Sequence, residues 1–356
     1  MHIASVVGAR PNFMKLAPLN RVLHDRGVTH TVVHTGQHYD RKMSDTFFDD
    51  LRIPEPHVNL GVGSASHAQQ TARIMEAFEP VCLERQPDVV LVYGDVNSTI
   101  AAALVAAKLG ITVGHVEAGL RSGDWTMPEE INRVVTDRLS DLLFTPSRDG
   151  TENLRSEGVP DDRIHFVGNI MIDSLEYVLP RAKALPTLSE LALERHEYVV
   201  VTLHRPSNVD VRANLVTLLE ALETIAEEVP VIFPVHPRTA ARMEEFGIHP
   251  SATGLRLLDP VGYMQMLSLV EGAGLVLTDS GGLQEETTYL GVPCLTVREN
   301  TERPITLAEG TNALVRPVDV VPASRAALSR GRGSVPRIEK WDGRSAERIA
   351  DVLDSA

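Results

Sequence analysis

Ile111-Thr112-Val113-Gly114-His115-Val116-Glu117-Ala118-Gly119-Leu120-Arg121 reads as a short buried strand that ends in a carboxylate. Glu117 falls at the strand's carboxyl end, the edge where open α/β sheets place ligands. Met127-Pro128-Glu129-Glu130-Ile131-Asn132-Arg133 follows closely, and its spacing predicts a helix with Pro128 at the first position and Glu129 and Glu130 in the first turn. Two acidic groups on consecutive loops at one sheet edge point to proton chemistry more than to solubility.

On either side of this stretch, apolar strands alternate with helical segments. Strands are expected at 3–7, 31–35, 89–93, 111–116, 142–144 and 164–167, with a helix over 13–24 after the first. Near-continuous apolar strands between helices mean a parallel sheet covered on both faces. A charged, weakly patterned break is expected at 179–197, flanked by Pro180 and Pro186, and the pattern then restarts with strands at 198–203, 231–235, 255–258, 275–278 and 293–297. The chain is therefore expected to be α/β, two Rossmann-like doubly wound domains facing a cleft, with residues 1–170 in the first and 171–342 in the second. A last helix at 345–353, within a terminal segment 343–356, is expected to pack back on the first domain.

The 356 residues are 43% hydrophobic and 23% charged, ordinary values for globular domains. The formal charge of −14 and an aromatic content of 4% argue against nucleic acid and against an anionic membrane surface. No stretch reaches the roughly 18 apolar residues of a membrane span, and the N-terminus lacks a basic, apolar leader, so a cytoplasmic protein is expected. Cys82 and Cys294 lie in apolar contexts without metal spacing and are expected to be buried free thiols. His34 and His38 stand four apart, but no third ligand of suitable type stands near, so no metal is expected.

Two turns are candidate anion sites. In Gly8-Ala9-Arg10-Pro11-Asn12-Phe13-Met14-Lys15, Gly8 would permit close backbone approach and Pro11 would start a helix whose free N–H groups attract anions, beside Arg10 and Lys15. In Asp279-Ser280-Gly281-Gly282-Leu283-Gln284-Glu285-Glu286, Ser280 to Gly282 would seat a diphosphate and Glu286 would reach a ribose hydroxyl pair. An ordinary helix cap at Asp279 or Ser280 accounts for the second turn equally well when it is taken alone. Asp95, after the strand at 89–93, is either a substrate contact or a cap, and converging carboxylates at Asp95, Glu117 and Glu129 would raise one another's pKa values. His204, Arg205 and His236 follow strands of the second series.

Taken together, Gly8-Ala9-Arg10-Pro11 with Lys15, Gly36-Gln37-His38, Gly94-Asp95, His115 to Arg121, Pro128-Glu129-Glu130 with Asn132-Arg133, His204-Arg205, Asp279 to Gly282 with Gln284-Glu285-Glu286, and Thr301-Glu302-Arg303-Pro304 occur in one order. The sequence closely resembles the non-hydrolysing UDP-N-acetylglucosamine 2-epimerases from residue 1 to about residue 315. The resemblance implies a glycosyltransferase-B-type fold, a homodimer, a UDP-sugar substrate and no cofactor. It implies that Asp95, Glu117 and Glu129 handle the C2 proton, that Arg10, Lys15 and His204 stabilise the departing diphosphate, and that Ser280, Gly281, Gly282 and Glu286 bind UDP. It further implies substrate contacts from Gln37, Arg121, Arg133, Arg205, His236 and Arg303. In that family the two sugars interconvert through elimination of UDP to a 2-acetamidoglucal and re-addition. The segment Met43-Ser44-Asp45-Thr46-Phe47-Phe48 is also similar to relatives that epimerise UDP-2,3-diacetamido-glucuronic acid, and a UDP-sugar glycosyltransferase of the same fold is a further alternative. Members activated by UDP-N-acetylglucosamine carry a Gln-His-Arg-Glu segment where this chain has Gln37-His38-Tyr39-Asp40.

Overall fold

Val89-Val90-Leu91-Val92-Tyr93 is buried at every position, and a strand apolar on both faces is stable only inside a sheet covered on both sides. The computed structural model describes residues 1–36, 50–53, 55–251 and 253–355. The chain divides into two units, residues 1–177 with 339–356, and residues 178–338.

Among the described residues the first unit holds seven strands: β1 His2–Val7, β2 Thr29–His34, β3 Val58–Asn59, β4 Val89–Tyr93, β5 Thr112–Val116, β6 Leu142–Thr145 and β7 Ile164–Phe166. They are parallel, in the order β3-β2-β1-β4-β5-β6-β7. β1 pairs with β2 on one side and β4 on the other, so the loops after β1 and β4 leave in opposite directions and open a crevice at the strand ends. The register sets Val6 beside Val92 and Tyr93 beside Val116, which brings the ends of β1, β4 and β5 level.

The second unit repeats the plan with β8 Val199–Thr202, β9 Val231–Pro234, β10 Leu255–Leu258, β11 Leu275–Thr278, β12 Cys294–Val297 and β13 Asn312–Val315. Their order is β10-β9-β8-β11-β12-β13, so the corresponding switch lies between β8 and β11. β3 and β13 are absent from the sequence reading. β3 has only two residues, too few to show a period, and β13 opens on the polar Asn312.

The break expected from residue 179 begins later. Helix Ile170–Lys183 runs through Pro180, with Ile172, Leu175, Val178 and Ala182 fully buried. An interior proline costs a helix roughly 3 kcal/mol, and a burial stripe of this length offsets it. Helix Ser345–Leu353 occupies its expected span and packs against helix Arg10–Asp25. Its first N–H groups, of Ser345 and Ala346, donate to Asp173 at 3.2 and 2.8 Å. Cys82 and Cys294 are buried free thiols, and burial pushes them up to about 12 and about 11. Among the described residues no helix is long and apolar enough to cross a membrane.

Candidate active site

Helix Arg10–Asp25 begins at the first switch point with proline in its first turn, as its sequence requires. At the turn before this helix, expected to hold an anion, the Gly8 and Ala9 N–H groups are already taken. Asn12 Oδ1 accepts from both, at 3.3 and 3.0 Å, while its Nδ2 donates to the Tyr93 carbonyl at 2.7 Å and ties β1 to β4. The close approach at Gly8 is made by protein as well, since a Cβ there would stand 2.1 Å from Ser98 Oγ. The feature of this turn that carries charge is Lys15, one helical step beyond Asn12, buried and ion-paired to Glu117.

Glu117 has φ +76°, left-handed backbone that non-glycine residues adopt at a cost of roughly 1–2 kcal/mol. The N–H groups of Glu117 and Ala118 both donate to the Phe144 carbonyl, at 3.1 and 3.0 Å, which holds the chain in this turn. Strain of this kind persists where the surroundings over-determine it, and such places are commonly functional. Across from it, a Cβ on Gly94 would lie 2.7 Å from Lys15 Nζ and 3.1 Å from Glu117 Oε2, so the turn after β4 closes over the ion pair only because residue 94 is glycine.

Helix Pro128–Leu139 supplies the third wall, and it buries a polar face. Glu130, Asn132, Arg133, Thr136 and Asp137 are buried while Ile131 is 44% exposed. Arg133 grips Asp95 Oδ2 through Nε at 3.0 Å and Nη2 at 2.7 Å, and its Nη1 donates to Glu130 at 2.5 Å. Asn132 Nδ2 donates to the Asp95 carbonyl at 2.8 Å. Burial acts to raise the Glu130 carboxyl, but the Ser122 and Gly123 N–H groups and Arg133 outweigh it and hold it below its ordinary value. Glu129, at the start of the same helix, is partly exposed. Arg121 binds Glu157 through two 2.8 Å hydrogen bonds and Asp137 through one of 2.7 Å, partners that the sequence reading did not include. That reading set the carboxylates of this edge against one another. The structure sets two of them against cations, Asp95 against Arg133 and Glu117 against Lys15.

At the second switch point Asp279, fully buried after β11, gathers four donors. The His204 and Arg205 N–H groups reach it at 3.0 and 2.9 Å, Asn208 Nδ2 at 3.0 Å and His204 Nδ1 at 3.0 Å. Burial acts to raise the Asp279 carboxyl, and these donors hold it below its ordinary value instead. The capping role considered for Asp279 is thus replaced by orientation of the His204 ring. The His236 ring lies 5.4 Å from that of His204, and its Nδ1 accepts from the Arg238 N–H at 3.2 Å.

Ser280 is the N-cap of helix Gly281–Leu290. A Cβ on Gly281 would meet Arg303 Nη1 at 2.5 Å, whereas one on Gly282 meets nothing within 4 Å. Arg303 pairs with Glu285 at 3.0 Å and with Glu302. Glu286, buried in the second turn, accepts from the Tyr263 hydroxyl at 3.0 Å, and burial pushes it up to about 7. Gln37 and the side chain of Arg10 lie outside the described residues, as do His38 and residues 39–49.

A family model described as UDP-N-acetylglucosamine 2-epimerase matches residues 20–354. The chain belongs to the UDP-N-acetylglucosamine 2-epimerase family. It is 46% identical over 320 residues to a UDP-N-acetylglucosamine 2-epimerase homolog of Methanococcus maripaludis, covering 88% of each chain. It is 39% identical over 359 residues, 99% of each chain, to the UDP-2,3-diacetamido-2,3-dideoxy-D-glucuronate 2-epimerase of Pseudomonas aeruginosa. The crystal structure of Methanocaldococcus jannaschii UDP-GlcNAc 2-epimerase in complex with UDP-GlcNAc and UDP superposes with a TM-score of 0.92, at 40% identity over all of both chains.

Membership of this epimerase family makes the chain an isomerase, and its two doubly wound units are those of the glycosyltransferase-B-type fold, as the motifs implied. For a 2-epimerase of this family, sequence reasoning named Asp95, Glu117 and Lys15 but missed Asn12, Asp137 and Asn208, which hold them or their counterparts in place. A signal for one of these was present: Glu130, Arg133 and Asp137 recur at helical spacing and so share a face.

Proposed function

We propose that this chain interconverts UDP-N-acetylglucosamine and UDP-N-acetylmannosamine without hydrolysis. The observation that carries the reading is Glu117, a buried carboxylate held in left-handed backbone at the switch point and paired with Lys15. Loss of the C2 proton is not assisted by a neighbouring carbonyl, so it must be coupled to departure of a good leaving group. The C2–H and C1–O bonds break, a C1–C2 double bond forms, the proton goes to a carboxylate among Asp95, Glu117 and Glu129, and the electron pair leaves on UDP. Re-addition reverses each change on the other face of C2. The sequence of steps is redox-neutral and calls for no nicotinamide.

In this reading the second unit receives the nucleotide. The Ser280 N–H donates to Thr278 Oγ1 at 2.9 Å, so Ser280 offers its hydroxyl while Gly281 and Gly282 present the N–H groups of the helix start to the diphosphate. His204 held by Asp279 donates to its developing charge, and Glu286 takes the ribose hydroxyls. Arg10, Gln37, Arg121, Arg133, Arg205, His236 and Arg303 complete the proposed substrate contacts. The reading includes a cytoplasmic homodimer that supplies the epimerised sugar for cell-surface polysaccharide.

The Pseudomonas relative favours a second reading, in which UDP-2,3-diacetamido-glucuronic acid is the substrate. Incubation with each UDP-sugar in heavy water, followed by NMR, separates the two. The expected result is UDP-N-acetylmannosamine formed from UDP-N-acetylglucosamine with deuterium at C2. Exchange confined to the diacetamido sugar selects the second reading, and turnover that requires an acceptor makes the protein a glycosyltransferase.

A further inference from the structure

His115, on β5, is fully buried. Its Nδ1 lies 2.6 Å from Asp137 Oδ1 and its Nε2 lies 2.8 Å from the Gly94 carbonyl oxygen. A carbonyl oxygen only accepts, so Nε2 carries a hydrogen. Asp137 Oδ2 receives the Gly119 N–H at 3.0 Å and Arg121 Nη1 at 2.7 Å. Burial acts to raise the Asp137 carboxyl, but the charges and hydrogen bonds of His115 and Arg121 outweigh it and hold it below its ordinary value. The 2.6 Å contact of Nδ1 with Asp137 Oδ1 needs a hydrogen between them, and the always-charged Arg121 guanidinium at 2.7 Å favours the carboxylate form of Asp137, which leaves that hydrogen to Nδ1. A charge buried this deeply is tolerated because each nitrogen is bonded and the counter-charge is in contact.

The partners of this pair place it in the chemistry. Gly94, whose carbonyl receives Nε2–H, immediately precedes Asp95, and the Gly94 N–H donates to the Val116 carbonyl at 3.0 Å. Gly119, whose N–H is received by Asp137, lies two residues after the strained Glu117. One histidine–carboxylate pair therefore fixes the turn that carries Asp95 and the turn that carries Glu117. We propose that His115 and Asp137 form a buried imidazolium–carboxylate pair that positions Asp95 and Glu117 for epimerisation without touching the substrate. The proposal rests on the epimerase reading above.

Misplacing a reacting group by about 1 Å costs on the order of 100-fold in rate. His115→Gln and Asp137→Asn are each expected to lower kcat and C2 deuterium exchange per folded molecule by about that factor, with UDP affinity by calorimetry close to wild type, alongside the lowered melting temperature that follows from leaving a buried group without its partner. A purely structural pair lowers the melting temperature and leaves kcat per folded molecule unchanged, and that result overturns the proposal. If His115→Gln does not fold, Asp137→Asn, which keeps side-chain volume, carries the kinetic arm. Nitrogen-15 NMR of the histidine-labelled wild-type protein tests the charge directly: both ring nitrogens of His115 are expected to carry bonded hydrogens, and a ring with one hydrogen overturns the proposal. Wild-type protein inactive on both UDP-sugars counts against the epimerase reading, while the NMR arm still decides the charge state of His115.

Discussion

The two switch points share a topology and differ in how they satisfy a buried carboxylate. In the first unit Glu117 meets the Lys15 ammonium, and Asp95 meets the Arg133 guanidinium. In the second, Asp279 is held by two backbone N–H groups, an amide and a histidine. A carboxylate in contact with a mobile cation can change partners as a proton moves. One fixed by backbone donors serves as an anchor, and here it anchors His204. On the proposed function, the contrast suits proton transfer at the first unit's carboxylates and charge reception at the second's His204.

The comparison breaks most visibly at Glu117. Glu117→Gln keeps the volume and removes the charge, and C2 exchange in heavy water is expected to fall by about 1,000-fold while UDP affinity by calorimetry is retained. Loss of UDP affinity in that variant would erase the division between the units, and normal exchange would remove Glu117 from the mechanism.

A second effect belongs to the nucleotide side. The Glu286 carboxyl, pushed by burial from an ordinary value of 4.5 to about 7, is costly to ionise in the ligand-free fold. At pH 4 both folded and unfolded chains hold the proton and the cost vanishes. As pH rises from about 4.5 to about 7 the unfolded chain ionises first, and up to about 3 kcal/mol of stability is lost. Glu286→Gln is therefore expected to match wild type at pH 4 and to exceed it at pH 8 in urea unfolding, with weaker UDP binding. A stability gap that does not grow with pH would remove burial of this charge as its cause.

The smallest effects sharpen the picture within one helix start. Gly281→Ala drives a methyl between the Arg303 and Glu302 side chains and is expected to lower stability by about 1 kcal/mol. Gly282→Ala meets open space, so stability is expected to hold or rise by a few tenths of a kcal/mol while UDP affinity falls. Thermal melting and calorimetry on the pair separate packing from ligand approach, and equal UDP affinity in Gly282→Ala would take that glycine out of the diphosphate site.

Most of the fold was legible because a central parallel strand must be apolar on both faces, and that pattern is local. The strands at 89–93 and 275–278 have their expected bounds, and Pro128 opens its helix. β3, two residues long, and β13, which opens on Asn312, were not legible, whereas the edge strands β7 and β10 were. The candidate site was half legible. Lys15, Asp95 and Glu117 were visible as polar residues at strand ends or an early helical turn, where the apolar pattern stops. Arg133, the partner of Asp95, was named only as a substrate contact. Asp137 and Asn12, which brace the neighbouring turns, lie on helices where a polar residue ordinarily faces water. The spacing of Glu130, Arg133 and Asp137 marks a shared face but not that it is buried.

By itself, then, the sequence determined the alternation of elements, the places where each strand hands over to a loop, and the family to which the chain belongs. Those follow from side-chain polarity along the chain, a one-dimensional quantity. Only the tertiary structure decided that Glu117 is left-handed and paired with Lys15, that the Gly8 and Ala9 amides are closed by Asn12, and that His115 and Asp279 sit in opposite roles at two equivalent edges. The Asn12 closure is local, but the others depend on which polar group meets which across many residues, and hydrogen-bond satisfaction in a buried environment is settled by packing and not by propensity.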